Sequence, residues 1–386
     1  MKFSSDQQIA LSTVLEWFHG TPKEACILAG YAGTGKTTLV AHIRQQLHQK
    51  DPKLKVAFCS YTGKATQILS KKLTQLQATY GADSVSTIHS LMYSPVRNDE
   101  FEIIGWEKQD RLEADLIVVD EASMISKNIW EDLRSYQIPI LAVGDHGQLP
   151  PIDDSFSLMQ HPTVRLEHIH RQAEDHPIIH LSFLARTEGK IPVETFSSSV
   201  RKIQKGSRQS QQAVTETLRR FDEDMLIVCG YNRTRVRLNQ ATKRLLGKDA
   251  TMPESGDQVI CLKNNHDEGI FNGMTGKLTE IVSFDALWYQ AQVQFPDRPM
   301  PYLGLIYKGQ FNAEKTLPYE EFLQLDGTGD LFDFGYAMTV HKSQGSQAKE
   351  VLLFEERFHS MDDEMWRRWL YTAITRAEEK LTIIGS

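Results

Sequence analysis

The chain has 386 residues, enough for two or three domains with cores of their own, and its 40% hydrophobic and 24% charged residues are the proportions of a soluble globular protein. A net charge of −7 excludes a protein that is basic throughout and leaves room for a local basic surface. No run approaches the roughly 18 apolar residues of a membrane span, and Met1–Gln8 has no apolar signal region, so a cytoplasmic protein without membrane contact is expected. Cys26, Cys59, Cys229 and Cys261 each lie in an apolar, strand-like run without metal-ligand spacing, which predicts buried, reduced thiols.

Phe3 to Phe18 reads as a short segment and a helix with Asp6 as N-cap and an apolar stripe of Ile9, Val14, Leu15 and Phe18. The run Ala25–Ala29 then predicts a buried strand. It leads into Gly30-Tyr31-Ala32-Gly33-Thr34-Gly35-Lys36-Thr37-Thr38, followed by Leu39, Val40, Ile43 and Leu47 at helical spacing up to Pro52. Strand, glycine loop and helix are the context that GxxxxGK[ST] requires. The backbone of Gly33, Thr34, Gly35 and Thr38 would wrap the phosphates of ATP, Lys36 would reach the β- and γ-phosphates, and the Thr37 hydroxyl would ligate Mg2+.

Val56–Tyr61 is the second strand, and Thr62-Gly63-Lys64-Ala65 opens the helix after it; Val85–His89 follows a loop. Residues 93–113 interrupt the α/β pattern and read as a hairpin with its turn near Gly105. Phe101 and Trp106 are the candidates for an aromatic pin that wedges into a duplex. Leu116–Val119 is a continuous apolar strand ending at Asp120-Glu121, where Asp120 suits Mg2+ and Glu121 suits the group that orients and deprotonates the attacking water. Ile140–Val143 repeats the design and ends at Gly144–Pro151.

A second α/β pattern begins near Val164–Glu167, with a helix around Pro177–Arg186 and a strand at Leu226–Cys229. From Arg201 to Lys248 basic residues outnumber acidic ones twelve to four, a candidate nucleic-acid surface. Between Thr251 and Asp330, short runs alternate with Asn, Gly and Pro turns and predict a small all-β insertion. The α/β pattern resumes at Phe334, with strands at Val351–Phe354 and Leu381–Ile384 around a helix from about Met361 to Ala377.

Eight motifs in order, GYAGTGKTT, TGKA, TIH, VVDEAS, GDHGQLPP, HRQ, TVHKSQGS and YTAITRA, make the chain resemble superfamily 1 helicases of the branch containing RecD and the phage helicase Dda. Tyr61 stands where that branch usually has proline. The resemblance implies an α/β fold of two RecA-like P-loop domains in tandem. Residues 1–160 would form the first, 161–248 and 334–386 the second, and 249–333 a small barrel-like insertion. It further implies that Gln7 reads adenine, that Gln148 senses the γ-phosphate, that Arg171 and Arg376 offer guanidinium groups to it, and that Gly345 lies at the nucleotide. Single-stranded DNA would contact Thr62, Lys64, Thr87 and His89 in the first domain and His341 and Lys342 in the second. The expected activity is ATP- and Mg2+-dependent unwinding of duplex or forked DNA with 5′-to-3′ travel, by a monomer that serves replication or recombination proteins. An RNA-dependent ATPase on the same fold, and a nucleotide-gated clamp that does not translocate, fit the same motifs.

Overall fold

The computed structural model describes residues 3–20, 25–97, 103–150, 156–168, 176–265, 268–296, 298, 300–325 and 329–386. Two parallel sheets carry the chain. The first has six strands in the order β3-β2-β6-β7-β1-β8, where β1 is Cys26–Gly30, β2 Val56–Ser60, β3 Ser84–Thr87, β6 Leu116–Asp120, β7 Ile140–Gly144 and β8 Val164–Leu166. The strands are almost continuously apolar because helices cover both faces. One core packs Ala10, Val14, Leu39, Val40, Ile43 and Leu47 from two helices, α1 (Ser5–His19) and α2 (Lys36–Lys50), onto one face. The other face receives Ile88, Met92, Trp130 and Leu133 from α4 (Ile88–Met92) and α5 (Lys127–Arg134). The remaining helix of this unit, α3 (Gly63–Gln75), follows β2.

Two sequence expectations are corrected here. The N-cap of α1 is Ser4, which forms a capping box with Gln7; Asp6 sits in the first turn and accepts from the backbone N–H groups of Glu167 and His168. Val164–Leu166 opens no second pattern. It pairs in parallel with β1, Leu28 opposite Val164, and closes the edge of the first sheet.

The second sheet has the order β16-β10-β17-β18-β9, with β9 Val200–Gln204, β10 Met225–Cys229, β16 Ala337–Thr339, β17 Ala348–Phe354 and β18 Ala377–Gly385. Its helices are α6 (Pro177–Thr187), α7 (Arg208–Arg219), α8 (Asn232–Leu245) and α10 (Asp363–Ile374). Trp366 and Trp369 of α10 stack at 5.2 Å, with Trp369 fully buried.

Between α8 and β16 lies a five-stranded antiparallel sheet, β14-β13-β12-β11-β15 (β11 Gln258–Cys261, β12 Thr275–Ser283, β13 Trp288–Gln294, β14 Tyr302–Tyr307, β15 Phe332–Phe334). A short helix, α9 (Tyr319–Leu323), precedes β15. A bridge from Ile306 of β14 to Asp330 brings the two edges of this sheet together, so it curls around Val259, Leu278, Val293, Phe295, Tyr302 and Phe332.

Ion pairs root the insertion in α8. Arg235 pairs with Asp333, Lys243 and Lys248 pair with Asp257, and the Tyr336 hydroxyl donates to Asp257 at 2.7 Å. With Lys202–Glu355 and Arg220–Glu350, these contacts account for five of the twelve cations between Arg201 and Lys248. Lys202, Arg235 and Lys243 are buried in these pairs and serve the packing of the second unit, while Lys205, Arg208, Arg219, Arg220, Arg233, Arg237 and Arg244 are exposed.

The expected hairpin pairs β4 (Tyr93–Arg97) with β5 (Ile103–Lys108). Gly105 pairs with Val96 inside the ladder, so the turn is not at Gly105. Trp106 pairs with Pro95 in mid-strand, and Phe101 lies outside the described residues. All four cysteines are free and buried in strands; burial pushes the Cys26 thiol up to about 11 and Cys261 to about 12. Among the described residues no helix is long and apolar enough to cross a membrane.

Candidate functional site

The carboxyl ends of the first sheet's strands meet at one edge, the ligand-bearing edge of an open α/β sheet. Register aligns them: Ala29 is opposite Gly144, and Ser60 is opposite Asp120. Gly33 and Gly35 take φ of 81° and 78°, the left-handed conformation that lets the loop after β1 curl back, and Gly35 caps α2. Lys36 Nζ donates to the carbonyls of Gly30 at 2.7 Å and Tyr31 at 3.0 Å, and lies 4.0 Å from Asp145 Oδ2. Thr37 and Thr38 follow in the first turn of the helix. Gln7 is buried and donates to the Thr34 carbonyl at 2.9 Å, tying α1 to the loop.

Asp120 ends β6, and Glu121 after it adopts φ 54°, ψ 36°, a left-handed conformation costly for a residue with a side chain. The Glu121 N–H donates to Asp120 Oδ1 at 3.0 Å, while the Glu121 Oε2 atom is buried with no hydrogen-bond partner among the described residues. Burial raises the Asp120 carboxyl to about 6; neighbouring Glu121 adds to the shift and Lys36 opposes it. Two adjacent half-buried carboxylates are costly without positive charge nearby. No group of three or more His, Cys, Asp or Glu side chains among the described residues makes a metal cage. Mg2+ at a nucleotide needs no such cage, since one or two protein ligands, phosphates and waters complete its shell. Thr37 and Asp120 fit that donor set, and the Glu121 oxygen beside them is left for a water.

The second unit closes over this edge through α10. The Tyr371 hydroxyl donates to Asp145 Oδ2 at 2.6 Å and accepts from the Ala32 N–H at 2.7 Å, so one atom joins the phosphate loop, the end of β7 and α10. Thr372 Oγ1 accepts from the Leu149 N–H at 2.9 Å, Gln344 Nε2 donates to the Leu149 carbonyl at 2.7 Å, and Arg368 reaches the carbonyls of His146 and Gln148. Gln148 is buried, with Oε1 lacking a hydrogen-bond partner among the described residues. A Cβ on Gly147 would stand 2.9 Å from the Tyr31 ring and 3.1 Å from Tyr371, so this approach needs glycine there.

Arg376, 1% exposed, donates to the carbonyls of Thr372, Ser343 and Ser346 and to Thr375 Oγ1, which leaves one of its five N–H groups without an acceptor among the described residues. Burial lowers its pKa, opposed by the nearby charges of Glu121 and Asp145. Arg171 lies outside the described residues. Gly345, at φ 72°, brings its carbonyl within 3.3 Å of the Thr62 hydroxyl, so the loop after β16 meets the loop after β2.

The residues expected to hold nucleic acid lie along the same edge, toward β2, β3 and β16. Thr62 and Thr87 are N-caps, accepting from the N–H groups of Ala65 and Ser90, so their hydroxyls also have local structural work. His89 is buried in a ring cluster. Phe271 of the insertion stacks on it at 4.7 Å, Tyr93 lies at 6.4 Å and Tyr61 at 5.8 Å. Burial lowers the pKa of His341 and takes Lys342 down to about 8. Lys342 Nζ lies 3.4 Å from Asn272 Oδ1, beside Phe271. The Lys64 side chain lies outside the description. Missed in the sequence were Tyr31, Asp145, Arg186, Arg368, Tyr371 and Thr372. Tyr31, Asp145, Tyr371 and Thr372 stood within the motifs; nothing local marked Arg186.

Comparison with known proteins bears on the family and the fold. A family model described as an AAA domain matches residues 2–219, and one described as a UvrD-like helicase C-terminal domain matches residues 334–384. The ATP-dependent RecD2 DNA helicase of Deinococcus radiodurans is 26% identical over 93% of this chain and 47% of its own length. The RecD subunit of the RecBCD enzyme of Mycolicibacterium smegmatis is 27% identical over 93% of this chain and 68% of its own. The chain thus spans about half of the first relative and two thirds of the second. The crystal structure of Bacteroides Pif1 bound to single-stranded DNA superposes with a TM-score of 0.51 at 16% identity, over 99% of this chain and 92% of that one, which supports the two-unit RecA-like fold.

Proposed function

This chain belongs to the AAA domain family, and from that premise we propose that it is an ATP-dependent DNA helicase that translocates 5′-to-3′ along a single strand and separates duplex or forked DNA. The observation that carries the reading is the junction at Tyr371. The phosphate loop, the acidic end of the first sheet and a helix of the second unit share a hydroxyl, so a change at the nucleotide reaches both units. Lys36 and the amides of Gly33–Thr38 hold the phosphates. Thr37 and Asp120 hold Mg2+, which screens the phosphate charge when bound. Glu121 orients the attacking water and takes its proton, helped by its unpartnered carboxylate oxygen. Gln148 and Arg376 answer to the γ-phosphate, with Arg171 expected beside them, while Gln7 and Gly345 border the nucleotide.

DNA lies across both units against Thr62, Lys64, Thr87, His89, His341 and Lys342, with the insertion closing over it through Phe271. Phosphate contacts of this kind grip without reading sequence. Alternation of the two grips as the cleft closes and opens moves the strand, with Phe101 rather than the mid-strand Trp106 at the duplex junction. The protein acts as a monomer. The test is ATPase activity with and without poly-dT, compared with poly-U. Stimulation by poly-dT that Lys36→Ala abolishes is expected; turnover that persists in Lys36→Ala, or that responds to poly-U alone, would overturn the reading.

A further inference from the structure

Arg186, in the last turn of α6 in the second unit, reaches across the cleft and lays its guanidinium over the Tyr31 ring at 3.8 Å. Tyr31 belongs to the phosphate loop itself. Its carbonyl accepts from Lys36 Nζ at 3.0 Å and from Thr34 Oγ1 at 2.8 Å, so a shift of this residue moves the lysine and the loop together. The ring also packs against His146, centroids 4.1 Å apart, and meets Tyr371 edge-on at 6.0 Å. Phe183 braces the guanidinium at 4.9 Å. Arg186 Nε is buried without a hydrogen-bond partner among the described residues. A buried, charged donor with no acceptor is costly and needs an explanation. Here it lies over the loop that takes an anionic ligand, and its charge is felt at the Tyr371 hydroxyl that holds the Ala32 N–H.

We propose that Arg186 is a positioning residue of the ATPase cleft: through its stack on Tyr31 it transmits the approach of the second unit to the phosphate loop, so that DNA gripped across both units accelerates hydrolysis. The inference rests on the helicase reading above and adds a coupling contact to it. Arg186 acts through Tyr31 and Lys36, and touches no reacting atom. A cation over an aromatic ring provides a contact that exists only when the units meet face to face. Lysine at this position keeps the charge and loses the flat, stacked face.

The experiment measures kcat and KM for ATP, with and without poly-dT, in Arg186→Ala, Arg186→Lys, Tyr31→Ala, Tyr31→Phe and the double variant R186A/Y31A. Arg186→Ala and Tyr31→Ala should each reduce the DNA stimulation of kcat by roughly 2- to 30-fold, the worth of one cation–aromatic contact. The double variant should lose no more than the worse single one. Arg186→Lys should recover part of the stimulation, and Tyr31→Phe should retain it. A stacking contact that served folding alone would lower the melting temperature and leave the stimulation ratio unmoved. Full stimulation in Arg186→Ala, or losses that multiply in the double variant, would overturn this inference alone. Absence of stimulation in the unaltered protein would overturn the helicase reading and this inference with it.

Discussion

Tyr371→Phe removes one oxygen atom from the place where the two units meet. In the unaltered protein that oxygen donates to Asp145 Oδ2 at 2.6 Å and accepts from the Ala32 N–H at 2.7 Å, inside a side chain with no solvent exposure. A hydrogen bond to a charged acceptor contributes about 1.5–3 kcal/mol, and an amide left buried without an acceptor costs about 1–3 kcal/mol. The variant should therefore lose about 3 kcal/mol, with roughly 6 kcal/mol as the upper end if no water enters. The ring still fills its place, so no cavity beyond the hydroxyl opens. Urea unfolding should show a lower midpoint with an unchanged slope. A double-mutant cycle with Asp145→Asn isolates the bond, because effects of that substitution on Lys36 and on the Gly147 N–H appear in both backgrounds and cancel. We expect a coupling of about 2 kcal/mol. Additive losses, or a Tyr371→Phe variant within about 0.5 kcal/mol of the unaltered protein, would refute the claim that this hydroxyl joins the units.

Glu121→Gln keeps the shape of the side chain and removes its basicity. ATP binding, read with a fluorescent analogue, should persist while turnover falls roughly 100- to 10,000-fold; a loss below tenfold would remove Glu121 from the role of base. Lys342 titrates near 8 because burial disfavours its charge, and a DNA phosphate beside it would favour the ammonium form. Binding of oligo-dT between about pH 8 and 10 should thus take up a proton and weaken as pH rises, as calorimetry in buffers of different ionisation enthalpy would report. Lys342→Met should abolish the uptake, and equal uptake in that variant would contradict the assignment. Away from the cleft, Arg44 and Asp83 form a buried pair at 2.9 Å, so Asp83→Asn should cost about 3–5 kcal/mol of stability in urea unfolding while the KM for ATP of the folded fraction is retained.

What could be read in the sequence was what local spacing encodes. Gly33, Gly35 and Lys36 announce the phosphate loop because its backbone needs glycine at fixed places, and Asp120-Glu121 stand out because two acids at the end of an apolar strand are costly without a cation. What could not be read was set by distant pairing. Val164–Leu166 has three residues and no periodicity, and only its register with β1 assigns it to the first sheet. Gly105 looked like a turn residue, yet the hairpin register holds it in the ladder opposite Val96. Five of the twelve cations between Arg201 and Lys248 pair with Asp257, Asp333, Glu350 and Glu355, which come later in the chain, so no local pattern could single those five out. Arg186 and Tyr31 meet across more than 150 residues of sequence, and neither has a neighbour that signals the other.

The central claim is that ATP hydrolysis at Lys36 and Glu121 drives directed movement along DNA. Unwinding of one fluorescently labelled duplex, carried once with a 5′ single-stranded overhang and once with a 3′ overhang, tests it most directly. With ATP and Mg2+, the 5′-tailed duplex should be separated in preference, and Glu121→Gln should separate neither. Preference for the 3′ tail would contradict the direction, and DNA-stimulated ATPase activity without separation of either duplex would contradict the claim of a helicase.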